Sequence, residues 1–244
     1  MKLSSKILLA VLLLLVAGLA VSNLVLKAAY EKADKANLYW NYSRIPQEPF
    51  HHIHIDGGNV TRIAYEPSAG YAVGTYEYWP GYKDGRMKAW VSRDTLYIQL
   101  QAVPKDIQEE NWIKWVTLIR VFSPAVYSIS GTNTNFSMAK MKQKNMAVIL
   151  GGKSFFRYES MWPDVDTLYV RQTDSVQTTF MLSPDIKPGN LFSIQSLDAT
   201  IRGASFLDVG HATIDSLKLQ VDNRSAIFLN GQTLIKNHFP GTGN

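Results

Sequence analysis

Five strand-like tetrads recur at near-constant spacing in the second half of the chain, and this repeat constrains the fold more than any other feature. Val126-Tyr-Ser-Ile, Ala147-Val-Ile-Leu, Leu168-Tyr-Val-Arg, Leu191-Phe-Ser-Ile and Leu217-Lys-Leu-Gln begin 21, 21, 23 and 26 residues apart. A second apolar-rich run follows each start by seven or eight residues and opens on a small residue: Thr134, Ser154, Ser175, Ala199 and Ser225. Such self-similarity marks a repeat architecture, in which each unit buries its inward side chains only when neighbouring units stack on it. A unit of strand, corner, strand and loop predicts an all-β domain built as a β-solenoid. The lengthening period predicts loops that grow toward the C-terminus. A β-sandwich, with strands roughly 8–12 residues apart, is the alternative that spacing alone also fits.

Shorter β-rich runs precede the repeats. His51-His52-Ile53-His54-Ile55, the turn residues Asp56-Gly57-Gly58-Asn59 and the run Val60 to Tyr65 together predict a hairpin. Further strands are expected at Tyr71–Tyr78, Arg86–Ser92 and Thr95–Gln101. One short helix is expected at Pro104–Trp115, where Asp106, Glu109 and Glu110 fall early and Ile107, Trp112, Ile113 and Trp115 share one face. In the last unit, Ile227 and Leu229 alternate onto one strand face, which predicts both inside and Phe228 outside.

Ile7 to Leu26 is an uncharged apolar run of twenty residues, preceded by Lys2 and Lys6 and closed by Lys27. At about 1.5 Å per residue, a helix of that length spans the ~30 Å hydrocarbon core of a bilayer. The lysines favour keeping the short N-terminal side in the cytoplasm and exporting the chain beyond the run. A cleaved signal peptide is the competing reading, because Gly18-Leu19-Ala20 offers small residues at the spacing a signal peptidase uses. The run continues six residues past Ala20, which supports an anchor. Residues 27–49 read as a tether, whose Lys, Ala and Glu/Asp alternation ends at Pro46 and Pro49.

The charge distribution narrows the function. Charged residues make up 18% of the chain and the net charge is +5. Three of the 25 basic residues and none of the 20 acidic ones lie in residues 1–30, so the remainder carries 22 against 20, a net +2. A nucleic-acid binder needs a basic patch on its folded part, and none is indicated. The absence of cysteine excludes disulfide scaffolds, iron–sulfur and thiolate–zinc sites, cysteine nucleophiles and lipidation on cysteine.

The apolar N-terminal segment, the strand-rich opening over residues 50–100 and the stacked repeats form one pattern. The repeats close on Leu217-Lys-Leu-Gln-Val-Asp-Asn-Arg-Ser-Ala-Ile-Phe-Leu-Asn-Gly. A turn of the form polar-Ser/Ala-x-apolar-x-apolar-x-Gly stands at Asn223 to Gly231, and more loosely at Leu197 to Gly203 and Gly151 to Tyr158. On these residues the chain resembles the putative auto-transporter adhesin, head GIN domain family over roughly residues 50–236. The resemblance implies a right-handed single-stranded β-helix in an exported bacterial protein, with no catalytic residues to carry over. Few glycines stand at the corners here, a departure from the commoner pattern of the family.

Candidate chemistry is sparse. His52 and His54 share a strand face while His51 points the other way, so at most two ligands converge where zinc normally takes three or four. His211 and His238 are too distant in sequence to place beside them. Asp164 with Asp166, or Glu109 with Glu110, could serve glycoside hydrolysis, which needs two carboxylates across a cleft. They equally fit solvated positions. No Gly-x-Ser-x-Gly, Walker or Gly-x-Gly-x-x-Gly pattern occurs. Asp94-Thr95-Leu96, Asp166-Thr167-Leu168, Asp174-Ser175-Val176 and Asp215-Ser216-Leu217 match a triplet that some bacteria O-glycosylate, and also fit ordinary turn chemistry.

The densest aromatic group is Tyr71, Tyr76, Tyr78, Trp79 and Tyr82. Amphipathic rings stack on sugar faces while their polar tips stay wet, so Tyr76, Tyr78, Trp79 and Tyr82 are the candidate ligand contacts. The same face could instead cap the end of the repeats. These readings divide the chain into a basic tip (1–6), an anchor or signal segment (7–26), a tether (27–49), the β-solenoid (50–239) and a tail (240–244). The expected function is that of a single-pass, exported binding or adhesion module of the bacterial cytoplasmic membrane, without catalysis, metal or cofactor. Its expected partners are the bilayer, through residues 7–26, and a glycan or another envelope protein. A polysaccharide-modifying enzyme is the alternative.

Overall fold

The computed structural model describes residues 3–32, 37–59, 61–77, 79, 85–101, 117–162, 164–186 and 192–237, in two compact units, residues 1–42 and 43–244. The expected helix Pro104–Trp115 lies outside the described residues.

The first unit is built on α1 (Leu3–Lys32). Leu, Ala and Val fill it with no proline to interrupt the ladder. Within Lys6–Glu31 an 18-residue window reaches a mean hydropathy of 2.7 with no buried residue, and Leu8 and Leu14 are each 74% exposed. The apolar surface runs all round the helix instead of along one stripe, the pattern of a helix solvated by lipid. By length and composition α1 can cross a membrane. Beyond the apolar run, Lys27 and Glu31 pair at 3.8 Å across one turn.

The second unit is two β-sheets over one hydrophobic core. Sheet A runs β1 (Tyr42–Pro46), β4 (Ala72–Tyr76), β7 (Thr117–Ser123), β3 (Arg62–Pro67), β9 (Asn135–Met141), β11 (Lys153–Ser160), β13 (Ser175–Leu182), β15 (Phe206–Asp208) and β17 (Ala226–Phe228). Sheet B runs β16 (Ala212–Val221), β14 (Phe192–Ile201), β12 (Asp164–Gln172), β10 (Asn145–Gly151), β8 (Ser128–Thr132), β2 (His52–Asp56), β6 (Thr95–Leu100) and β5 (Met87–Ser92). From β8 onward the chain alternates between the sheets, and each strand pairs in parallel with the next but one.

Alternation along each strand sends one set of side chains into the core. Across sheet B these align as Leu96, Ile53, Ile129, Val148, Val170, Ala199 and Leu219. Across sheet A they align as Ile63, Phe136, Phe156, Thr178, Leu207 and Ile227. The rings of Phe136 and Phe156 are parallel with centroids 6.2 Å apart, and Phe180 meets Phe156 edge-on at 6.1 Å. Burying each such side chain contributes about 1.5–3 kcal/mol.

The passage from sheet B to sheet A needs a sharp bend, and a left-handed residue supplies it at Asn133 (φ 54°), Gly152 (φ 64°), Asp174 (φ 72°) and Gly203 (φ 80°). Side chains then bind one corner to another. Asn133 Oδ1 accepts from Lys153 N at 2.9 Å, Asp174 Oδ2 from Gly152 N at 3.1 Å, and Asp222 Oδ2 from Gly203 N at 2.7 Å. Serines add a second line, with Ser154 Oγ accepting from Thr134 N at 3.1 Å and Ser205 Oγ from Val176 N at 3.2 Å.

The final edge of sheet B is blunted by α2 (Gly231–Lys236), whose side chains stand in for a further strand. Thr233 Oγ1 accepts from Ile214 N at 3.0 Å, while Asn230 Nδ2 donates to Ala212 O at 2.6 Å and Asn237 Nδ2 to Ile214 O at 2.9 Å. Nearby, Ile227 and Leu229 pack against the core and Phe228 is 55% exposed, with its ring over Gly210.

Four expectations need correction. The fold is not a single-stranded β-solenoid: there are two large sheets, and both are mixed, because β4 pairs antiparallel with β7 and β5 with β6. Periodicity carries the spacing of strands and not their direction. The expected hairpin over His51–Tyr65 is absent, since β2 lies in sheet B and β3 in sheet A; Asp56–Asn59 passes the chain between sheets. The loops do not lengthen steadily. Leu168 stands opposite Leu197 and Leu197 opposite Leu217, so the true steps are 29 and 20 residues (197 − 168 and 217 − 197), with one insertion between β13 and β14. Ala199 lies inside β14, and Ser205 is the residue that opens the second run of that unit.

Candidate functional site

Arg93 (φ 48°) and Asp94 (φ 64°) form a two-residue left-handed turn between β5 and β6, the conformation whose twist suits a tight hairpin. The turn sets Ser92 opposite Thr95 and therefore Trp90 opposite Tyr97. Tyr97 is in turn opposite His54, and His54 opposite Ser130. With Ile53, Ile55, Leu96 and Ile98 buried on the other face, this row points outward from sheet B.

The row is ordered by ring contacts. Trp90 and Tyr97 stack at 5.4 Å with planes 11° apart, and Tyr97 meets His54 at 5.6 Å. His54 Nδ1 lies 2.9 Å from Ser130 Oγ, and that hydroxyl donates to Ile53 O at 3.4 Å. Trp90, on the edge strand, is 43% exposed. Polar rows flank the rings, with Lys88, Gln99 and Asp56 on one side and Ser92, Thr95 and His52 on the other. An apolar ring strip bordered by donors and acceptors is chemically matched to a pyranose, which has apolar faces and a hydroxylated rim.

The neighbouring His51 and His52 are tied to this surface structurally. His52 Nδ1 lies 2.6 Å from Ser128 Oγ; His51 Nδ1 lies 2.8 Å from Asp94 Oδ1 and its ring stacks on Tyr127 at 5.3 Å. Among the described residues no group of three or more His, Asp or Glu side chains is placed to hold a metal ion. Asp164 Oδ1 accepts from Ser193 Oγ at 2.6 Å and Asp166 pairs with Lys144 at 3.6 Å, so each carboxylate has a partner of its own.

Of the four sequence candidates, Tyr76 and Trp79 pack against the core, with Trp79 N donating to Tyr76 O at 3.0 Å. Tyr78 and Tyr82 lie outside the described residues, as do Glu109, Glu110 and His238. The Trp90 row was missed by counting aromatic density along the chain. The readable signal was geometric: a two-residue turn between the expected strands forces position 90 opposite 97.

No family model matches the chain, and no curated protein matches it. Among solved structures, the chain is similar to a "putative adhesin" from Bacteroides fragilis, with 15% identity and a TM-score of 0.42 over 76% of this chain and 94% of that one. It is similar to a "putative adhesin" from Parabacteroides merdae, with 11% identity and a TM-score of 0.38 over 76% and 94%. A "putative lipid binding protein" from Parabacteroides distasonis gives 12% identity and a TM-score of 0.36 over 77% and 92%.

Proposed function

We propose that the protein is a membrane-tethered, non-catalytic binding module that takes a glycan on the outward face of sheet B. The observation that carries this reading is the outward Trp90–Tyr97–His54 row, exposed at Trp90, with polar side chains on both flanks. The tether is α1, whose apolar stretch of residues 7–26 matches a bilayer, with the β unit exported beyond the bacterial cytoplasmic membrane. Tyr76 and Trp79 belong in this reading to the cover of the core, supported by their inward packing.

A glycan array probed with the full chain in uncharged detergent micelles tests the reading. A stacked ring contributes on the order of 1 kcal/mol, so Trp90→Ala should weaken binding about fivefold while Trp79→Ala leaves it unchanged. Binding that survives Trp90→Ala and fails with Trp79→Ala returns the sugar contact to the aromatic group around Trp79. Release of reducing ends from a polysaccharide, stopped by Asp164→Asn or Asp166→Asn, would establish an enzyme instead.

A further inference from the structure

Farther across the same sheet, the outward side chains change from aromatic to cationic. Arg171, Thr200 and Gln220 stand in register on β12, β14 and β16. Thr173 and Arg202 continue the alternation just past the strand ends, where Thr173 N donates to Leu150 O and Arg202 N to Gln172 O, both at 3.0 Å. These five residues line an open concavity of about 250 Å³. Arg202 is two positions beyond the partner of Arg171, so their backbones are about 8 Å apart, from ~4.8 Å between strands and ~6.6 Å along them. Two flexible side chains at that separation can turn onto one anion.

The local acids are engaged elsewhere. Asp198 pairs with Lys218 at 2.9 Å, Asp174 accepts from Gly152 N, and Asp222 accepts from Gly203 N and Ser225 Oγ. Among the described residues neither Arg171 nor Arg202 forms an ion pair; the ring of Tyr169 stands 5.8 Å from the Arg171 guanidinium. Two guanidinium forks, two threonine hydroxyls and a carboxamide offer donors in several directions. A carboxylate presents two oxygens to them and a phosphate three or four, and planar forks bind either bidentately.

We propose that Arg171 and Arg202, with Thr173, Thr200 and Gln220, form a binding site for a phosphate group, three strands beyond His54 on the same outward face. The group is either a free phosphate ion or the diester of a lipid headgroup, and two probes distinguish these sources. Isothermal titration of the full chain in dodecyl maltoside micelles is carried out with inorganic phosphate and with dihexanoyl phosphatidylglycerol below its micelle concentration. Saturable binding of the first assigns the free ion, and of the second alone the headgroup. In either case Arg171→Gln and Arg202→Gln should each weaken binding at least about fivefold, the double variant should abolish it, and Lys153→Gln, on sheet A, should leave it unchanged. Both arginines are exposed, so the variants should melt with the wild type, which separates loss of the site from loss of the fold. The proposal is overturned if neither probe binds, if the double variant binds as the wild type does, or if acetate competes as well as phosphate.

Discussion

Asp222 Oδ2 accepts the backbone N–H of Gly203 at 2.7 Å, so a carboxylate from one corner of the sheet pair closes the left-handed bend of the corner before it. The same carboxylate accepts from Ser225 Oγ at 2.8 Å and Arg224 N at 3.1 Å through Oδ1. The Gly203 N–H first, and then the Ser225 hydroxyl, hold the Asp222 carboxyl below the ordinary carboxylate range.

That shift has a definite consequence for stability. A pKa lower in the folded state than the ~3.9 of an unfolded Asp stabilises the fold above that value, and the contribution disappears as pH falls through the folded value. Thermal melts between about pH 6 and pH 2 should show wild type above Asp222→Asn at the upper end, with the gap narrowing below about pH 4. A gap that is constant with pH contradicts the assignment.

The corner itself tolerates no side chain at Gly203. Its φ is 80°, and an added Cβ would collide with the backbone of Asp174. Gly203→Ala should therefore cost about 2 kcal/mol or more in a denaturant titration. Gly70→Ala, at a position with open space around it, should be close to neutral. Equal effects at the two sites would remove the corner from the account.

Gln172 is fully buried in the inward row of β12, and neither atom of its amide has a hydrogen-bond partner among the described residues. A buried polar group left unpaired costs roughly 1–3 kcal/mol, and methionine has a similar volume without the amide. Gln172→Met should raise the melting temperature. A clear decrease would mean that the amide is satisfied in solution.

The sequence made the inward rows legible wherever strand and repeat coincide. Val148 and Val170, inward members of Ala147-Val-Ile-Leu and Leu168-Tyr-Val-Arg, stand opposite each other on β10 and β12 although the tetrads themselves are one residue out of register, and the alternation of Ile227, Phe228 and Leu229 placed the right side chains inside. It failed at Leu191, because an insertion between β13 and β14 moved the true partner of Leu168 to Leu197. Strand direction was invisible for a different reason: hydrophobic spacing is the same for parallel and antiparallel neighbours, and only the Arg93–Asp94 turn reveals the second. The candidate site was obscured likewise. Aromatic density drew attention to Tyr76–Tyr82, whereas Trp90, Tyr97 and His54 come together only through strand pairing between distant segments.

Hydroxyl-radical footprinting of the full chain, with and without a bound glycan from the array, tests the central claim most directly. The account predicts that the glycan slows modification of Trp90 and Tyr97 and leaves Tyr76 and Trp79 unchanged. Protection confined to Tyr76 and Trp79, with Trp90 modified at its free rate, would contradict it.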